Sequence, residues 1–329
     1  MKVRQIVPDW IKGIAIILMV YGHTNHVGSL AMLQKQCVQV IYTFHMPIFL
    51  IVSGFFFRVK DDVFSEFKVV FRRLIIPYIV FISLYLVGLT LIQTIGVHTS
   101  NLPPNSFMDS LNIIFIHPRG AYWFIHSLIL IHLSFLVAKL FSIRFKLDDA
   151  MFFSVVIFLL AILCDYELIK LRTVFYFFIG TVFSKFTGKL PGSLGVAGCM
   201  IVALLVLAEP ELFSFTFVQI AWCLSITALM AGIGNKLQNT LGVQIIAWFG
   251  RNTLIVLVLH AIFIVSMKPI GHKLLIVDET GVINSVVVLF ITLTGCVFAS
   301  FIFDRIKLSE YLFGVKFLYS KLFFSHITK

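Results

Sequence analysis

Long apolar runs recur along the whole chain, and they constrain its fold more than any other feature. A helix needs about 20 mostly apolar residues to cross the hydrocarbon core of a bilayer. By this measure the sequence predicts ten membrane spans, at residues 10–29, 38–58, 71–95, 122–143, 150–164, 171–187, 192–208, 213–233, 246–267 and 282–304. The predicted fold class is therefore an all-α polytopic membrane protein, with a single membrane-embedded domain over residues 1–329.

The composition excludes a soluble globular domain and a disordered chain. Of the 329 residues, 60% are hydrophobic and 12% are charged, whereas soluble domains contain about 45–50% apolar and about 25% charged residues. A disordered chain requires low hydrophobicity and high charge, which is the opposite balance. The first apolar run, from Trp10 to about Gly28, is too long for the core of a signal peptide, so it is predicted to be a retained first helix.

The basic residues predict the topology rather than a nucleic-acid partner. The net charge is +11, but the 26 Lys and Arg are scattered between the apolar runs instead of clustering on one face. With ten spans, 20 of them fall on the side that holds both termini and six on the other. Because cytoplasmic loops are enriched in Lys and Arg, both termini are predicted to be cytoplasmic and the loop at 96–121 to be outside. The segment after Asp304 is predicted to form an amphipathic helix on the inner surface.

Five cysteines lie singly in or beside the apolar runs, without CxxC spacing. This pattern indicates neither a disulfide framework nor a thiolate metal site, and no metal is predicted.

Histidines are the ionisable side chains that the predicted spans place at membrane depth, where such residues are candidates for function. The first span carries His23 and His26, the second His45, the fourth His126 and His132, and the ninth His260. Carboxylates lie at span ends or in loops, which argues against a carboxylate proton relay or a paired-carboxylate hydrolase. An interior histidine is most often a hydrogen-bonded structural residue, and this is the preferred interpretation of His126, His132 and His260. A metal bound by His23 and His26 is an alternative, although no third ligand is evident.

Lys12 and His23 are predicted to share one face of the first helix. They are eleven residues apart, which corresponds to about 1,100° of rotation, or about 20° beyond three turns, and to about 16 Å along the axis. The second span runs in the opposite direction, so it places His45 at a depth similar to that of His23. Two imidazoles are therefore predicted to converge in one cavity.

Five local strings in this order resemble acyltransferase family 3 membrane proteins, most closely the fucose 4-O-acetylase-like branch of sugar O-acetyltransferases. The strings are residues 9–16 followed by Gly22-His23, residues 44–56, residues 71–78, Tyr122-Trp123-Phe124, and residues 250–254 with His260. One position departs from the pattern, because the family commonly has arginine followed by ten other residues and then the first-helix histidine, and this chain has Lys12 at the arginine position. Lysine retains the charge but lacks the bidentate fork of arginine.

The resemblance implies an acyltransferase of the bacterial inner membrane. It would move an acyl group, usually acetyl, from cytoplasmic acyl-CoA (acetyl-CoA) as donor substrate to a hydroxyl of a surface polysaccharide or a lipid-linked saccharide. An imidazole has an ordinary pKa of about 6.5 and is a suitable general base for a sugar hydroxyl. His23 is the predicted base, and His45 is its partner or a second proton carrier. Four basic residues are the predicted contacts of the donor phosphates: Lys12, Arg72, Arg73 and Arg251.

The other residue assignments have simple alternatives. Tyr122 and Trp123 are predicted to stack on the acceptor sugar, but they also fit an interfacial aromatic belt. Arg72 and Arg73 also fit topology anchors. Ser53-Gly54 is predicted to allow close helix packing, with a nucleophilic serine as the alternative.

The sequence leaves two other classes of protein open beside the enzyme. The main rival function is a non-enzymatic flippase or transporter of lipid-linked glycans. A glycan polymerase is a third option, but it typically needs a larger outer loop than residues 96–121 supply.

Overall fold

A computed structural model describes residues 5–59, 62–94, 101–188, 190, 192–207 and 214–319, and within these ranges it contains helices and no strand. The α-helices in chain order are α1 (Ile6–His23), α2 (Ala31–Phe56), α3 (Val63–Val70), α4 (Ile76–Thr94), α5 (Phe107–Phe115), α6 (Tyr122–Phe145), α7 (Asp149–Asp165), α8 (Leu171–Phe186), α9 (Leu194–Leu207), α10 (Phe217–Leu237), α11 (Leu241–Arg251), α12 (Thr253–Leu274), α13 (Val282–Arg305) and α14 (Leu308–Phe313). A π-helical segment, Phe71–Ile75, joins α3 to α4. The predicted all-α class is confirmed.

The apolar helices confirm a multi-pass membrane protein. Within the described ranges, six helical segments are long and apolar enough to cross a membrane, and the bent pair α11 and α12 makes a seventh if it counts as one span. Helices are favoured there because each backbone N–H and C=O is satisfied inside the segment. In the described ranges, each of the ten predicted spans overlaps at least one helix of the structure. The count of ten spans and the cytoplasmic position of both termini stay predictions.

Side-chain caps fix where several helices begin. The carboxylates of Asp62 and Asp148 accept hydrogen bonds from backbone N–H groups in the first turns of α3 and α7. The hydroxyls of Ser106, Thr216 and Thr240 do the same for α5, α10 and α11. Asp, Ser and Thr side chains satisfy N–H groups that have no partner inside the helix, so these residue types are typical of helix starts and can be recognised in the sequence.

The end of the first helix differs from the prediction. α1 ends at His23, before the predicted boundary at residue 29, and the backbone N–H of Thr24 then bonds to the Tyr21 carbonyl at 3.1 Å. Thr24 has extended backbone angles, which a continuing helix cannot accommodate. The placement of His26 in the first span was therefore wrong, because His26 lies in the loop that follows α1.

The predicted ninth span is also broken. It was predicted as one helix over 246–267, but α11 and α12 meet at Asn252 with a bend of 84°. Asn252 is buried, and its side-chain N–H donates to the Trp248 carbonyl at 3.1 Å. The break therefore sits inside the packed protein and has its own polar contact.

The described residues divide into two compact units. The first takes the described residues of Met1–Phe57, Phe175–Ile302 and Tyr319–Lys329, and the second takes those of Arg58–Val174 and Phe303–Leu318. The first unit contains α1, α2, α9 to α12 and most of α8 and α13. The second contains α3 to α7, the π-helical segment and α14.

The C-terminal segment contains the short helix α14, which ends where Gly314 has a φ of 60°. Ser309 and Phe313 are buried and Tyr311 is exposed, so this helix has one buried and one exposed side. Residues 320–329 of the predicted amphipathic segment lie outside the described residues.

Candidate functional site

Three histidines and a tyrosine lie close together in the first unit. His23 is the last residue of α1, and the centroid of its ring lies 5.3 Å from that of His260 on α12. The ring of Tyr42 on α2 neighbours both His23 and His45, with centroid distances of 6.3 Å and 5.1 Å. These four side chains are called the histidine cluster below. The structure thus brings His23 and His45 to one place, and it adds His260.

The members of the histidine cluster differ in exposure and in hydrogen bonding. His45 and His260 are only 6% and 4% exposed, whereas His23 is exposed. The Nδ1 of His45 lies 2.9 Å from the Ile41 carbonyl, and the Nδ1 of His260 lies 2.8 Å from the Leu257 carbonyl. Because a carbonyl only accepts, both Nδ1 atoms carry hydrogen and the Nε2 atoms of the neutral rings keep their lone pairs.

A proline shapes the helix that carries His45. Pro47 lies inside α2 and has no N–H to offer the Thr43 carbonyl one turn earlier. That carbonyl is instead approached by the Gln219 side-chain N–H at 3.4 Å and the Cys223 thiol at 3.5 Å. The Trp222 indole N–H donates to the Thr43 hydroxyl at 2.9 Å. α10 therefore supports α2 where proline removed a backbone bond, two residues before His45 in the chain.

Tyr42 was not predicted as a site residue. Its hydroxyl donates to the Gly22 carbonyl at 3.0 Å, so it holds the last turn of α1, which carries His23. The signal for it was present, because Tyr42 precedes His45 by three residues and helical residues at that spacing share a face.

Lys12 faces the same side of α2 as His23 does. The Lys12 Nζ lies 5.2 Å from the centroid of the Phe49 ring, and Phe49 follows His45 by four residues. Lys12 and His23 therefore contact one stripe of α2, as their eleven-residue spacing predicts. The cation lies toward the N-terminal end of α1 and the imidazole at its C-terminal end.

α1 and α11 cross with their backbones in contact. A side chain at Gly13 would overlap the Ile246 carbonyl, and one at Gly250 would overlap the Asp9 carbonyl. Glycine is required at both positions because the space for a Cβ is filled by the opposite backbone. Lys12 and the half-buried Arg251 each adjoin one of these glycines in the chain. Two of the four predicted donor-binding cations therefore flank one helix crossing.

The other two predicted donor-binding residues lie in the second unit. Arg72 and Arg73 are exposed and occupy the π-helical segment. Gly314, after α14, lies against them, since a Cβ built on it would come within 3.2 Å of the Arg72 Cβ. Such π-helical turns are rare and often mark functional sites.

The two predicted acceptor-binding aromatics are placed differently. Tyr122 is 4% exposed, and its hydroxyl donates to the Phe81 carbonyl at 3.0 Å. Its ring centroid lies 5.3 Å from Tyr85 and 6.4 Å from Tyr78. The ring is thus packed inside the second unit and offers no open face for a sugar. Trp123 is half-buried, and its ring meets Phe124 edge-on.

The residues that the sequence analysis interprets as structural have hydrogen-bond or packing partners in the described part of the chain. A ring nitrogen of His126 lies 3.0 Å from the Phe115 carbonyl, and one of His132 lies 2.7 Å from the Leu128 carbonyl. The predicted close packing at Gly54 is confirmed, because a Cβ there would overlap the Phe177 carbonyl. The Ser53 hydroxyl donates to the Phe49 carbonyl at 2.8 Å.

All five cysteines are free thiols. In the described ranges, no three His, Cys, Asp or Glu residues group as metal ligands.

The histidine cluster suits proton transfer. The exposed His23 ring can meet a substrate, and two neighbouring buried imidazoles keep lone pairs on Nε2.

Comparisons with known proteins identify the family. No curated protein and no solved structure matches the chain. A family model described as an acyltransferase domain, that of acyltransferase family 3, matches residues 6–304. This range runs from the first residue of α1 almost to the end of α13 and includes every residue of the histidine cluster. The chain belongs to acyltransferase family 3 and is a membrane acyltransferase.

Proposed function

We propose that the protein transfers an acetyl or other acyl group from acyl-CoA to a hydroxyl of a surface polysaccharide or lipid-linked sugar, with His23 as the general base. The observation that carries this proposal is the exposed His23 ring, 5.3 Å from His260 and beside Tyr42. We place the reaction in a bacterial inner membrane. Assignment to the fucose 4-O-acetylase-like branch stays a prediction.

The proposed reaction uses His23 as base and then as acid. A sugar hydroxyl is a weak nucleophile, so a neutral imidazole nitrogen of His23 accepts its proton while the oxygen attacks the thioester carbonyl. The tetrahedral adduct collapses, the carbon–sulfur bond breaks, and the CoA thiolate takes the proton from the imidazolium. The products are the sugar ester and free CoA, and His23 returns to its neutral form.

The two buried histidines support this cycle as positioning residues. Their Nδ1–H groups are held by backbone carbonyls, which turns the acceptor nitrogen Nε2 away from the helix that carries each ring. Of the two, His260 is the nearer to His23. We assign it the role of accepting a hydrogen bond from the protonated His23, while His45 acts through Tyr42.

The cations at the crossing of α1 and α11 support the donor assignment. Acyl-CoA carries phosphates, which bind to Lys and Arg as charge-assisted partners. Lys12 and Arg251 supply two cations in the same unit as His23. A donor role for Arg72 and Arg73 stays a prediction from the resemblance. Because the family consists of acyltransferases, the flippase and polymerase alternatives are not retained.

The experiment that tests the proposal uses the purified full chain in lipid nanodiscs. Acetyl-CoA labelled in the acetyl group is mixed with surface polysaccharide that has been de-O-acetylated by alkali. We expect alkali-labile label on the glycan and an equal amount of free CoA. Release of CoA without labelled glycan would contradict an O-acyltransferase acting on saccharides.

A further inference from the structure

Beyond the end of α1, two loops are joined. The Ser29 N–H donates to the Glu279 carbonyl at 2.9 Å, and the Leu30 N–H donates to the Thr280 carbonyl at 3.2 Å. Bonds from the Thr280 hydroxyl and from backbone N–H groups, including that of Ile283, hold the pKa of the Asp278 carboxyl below its usual range. The loop between α1 and α2 is therefore fixed to the loop between α12 and α13.

Four polar side chains of the same loops and the adjoining helix turns form a group, called the polar cluster here. They are His26 in the first loop, Gln34 on α2, and Asn284 and Ser285 on α13. The Ser285 hydroxyl donates to the Gln34 side-chain oxygen at 2.5 Å, and the His26 Nδ1 lies 3.0 Å from that oxygen. The Asn284 side-chain N–H donates to the Asn25 carbonyl at 2.9 Å.

The polar cluster contains three buried atoms without a hydrogen-bond partner in the described part of the chain: His26 Nε2, Gln34 Nε2 and Asn284 Oδ1. The side chains of Gln34 and Asn284 are 7% and 2% exposed. Buried polar atoms are paired in the great majority of native proteins, so three unpaired atoms in one group indicate a missing polar partner.

The hydrogen bonds define which chemistry that partner needs. The Gln34 oxygen accepts from Ser285, so the His26 Nδ1 that faces it is a donor and His26 Nε2 of the neutral ring is an acceptor. Asn284 Oδ1 is a second acceptor, and Gln34 Nε2 is a donor. These atoms carry no formal charge. A hydroxyl group both donates and accepts, and therefore fits the set, whereas a phosphate or carboxylate would find one donor and no cation.

The polar cluster and the histidine cluster have members that are close in sequence. His26 follows His23 by three residues, and its ring centroid lies 5.1 Å from that of Tyr21 in the last turn of α1. A ligand that extends from the exposed His23 along the end of α1 would reach the loop that carries His26.

We propose that the polar cluster is a binding subsite for an uncharged, hydroxyl-bearing ring of the acceptor saccharide, adjacent to the sugar that is acylated. This inference rests on the proposed function, since it assigns part of the acceptor site. The competing occupant is ordered water, which also satisfies buried polar atoms.

Steady-state kinetics in nanodiscs test the subsite, with de-O-acetylated polysaccharide and acetyl-CoA as substrates. Gln34→Met keeps the side-chain length and removes the amide donor, so the KM for polysaccharide should rise about 3- to 10-fold, the loss expected for one neutral hydrogen bond. The KM for acetyl-CoA should not change. His26→Phe, at a half-buried position of the loop, should act in the same direction and covers the case that Gln34→Met fails to fold.

The matched control is Gln219→Met. Gln219 is also a buried amide of the first unit, at 4% exposed, but both of its side-chain atoms have protein partners. Because Gln219 contacts α2 near His45, the readout of this control is thermal stability and KM rather than kcat: stability should fall and the KM for polysaccharide should stay unchanged. An unchanged KM in folded Gln34→Met and His26→Phe would overturn the subsite and return the polar cluster to ordered water.

A binding measurement separates failure of the subsite from failure of the proposed function. Oligosaccharides from the de-O-acetylated polysaccharide are titrated onto His23→Gln protein with and without Gln34→Met. Weaker binding in the double variant supports the subsite even if transfer is not observed. Equal binding by both proteins overturns the subsite, while labelled glycan from wild-type protein would still support the function.

Discussion

At the scale of single residues, His260 is the group whose proximity to His23 could not be predicted from the sequence. The sequence favours a structural role for it as an interior histidine, and it is indeed buried, with Nδ1 bonded to backbone carbonyls of its own helix. Its importance comes from a neighbour 237 positions away in the chain, because the His23 ring lies 5.3 Å from it. Helical periodicity relates residues within one helix and carries no information about such a contact between helices.

Replacing His260 should affect the rate more than substrate binding. In His260→Phe the imidazolium of His23 loses an acceptor, and hydrogen bonds to charged groups contribute about 1.5–3 kcal/mol. We therefore expect kcat to fall about 10- to 100-fold with an unchanged KM for acetyl-CoA. The matched control is His132→Phe, since His132 also bonds a carbonyl of its own helix through Nδ1, at 2.7 Å, but lies in the second unit. A normal kcat in His260→Phe would remove His260 from the mechanism.

At the scale of helices, the crossing of α1 and α11 organises the site. The prediction of the ninth span as one helix was wrong at Asn252, where α11 and α12 meet at a bend of 84°, and α11 packs closely on α1. Hydropathy records only that the segment is apolar. In contrast, the shared face of Lys12 and His23 was predictable, because it depends only on the geometry of one helix.

Two glycines of α11 give a direct comparison of that crossing. Gly250→Ala places a methyl group on the Asp9 carbonyl, so it should lower stability by about 1–3 kcal/mol or more and disturb Lys12 and Arg251. Gly242→Ala has nothing within 4 Å of the new Cβ. It should be neutral or should stabilise the helix by about 0.5–1 kcal/mol. Thermal unfolding in nanodiscs checks both variants, and equal stability of the two would contradict the close crossing.

At the scale of the whole molecule, the apolar runs were sufficient to predict an all-α membrane protein, because the bilayer permits few other structures. The end of α1 was predicted too late, because residues 24–30 contain no Asp, Glu, Lys or Arg that would mark the end of an apolar run. In the structure these residues form a loop that is bonded to the loop at residues 278–281. Such a contact between distant loops has no counterpart in local composition.

The predicted topology has its own test. The distribution of Lys and Arg, 20 to six, places both termini in the cytoplasm and the loop at 96–121 outside. Reporter fusions after Lys329 and near Asn105 should give opposite signals. Matching signals would contradict the topology with ten spans.

The central claim is that His23 is the general base, and the most direct measurement is the rate of acetyl transfer by His23→Gln. Glutamine retains hydrogen bonding but does not accept a proton at neutral pH, and general base catalysis contributes about 10²–10⁴-fold. We expect transfer to polysaccharide to fall by that factor, while protein level and acetyl-CoA binding stay close to those of the wild type. A His23→Gln protein that transfers acetyl groups at the wild-type rate would contradict the account.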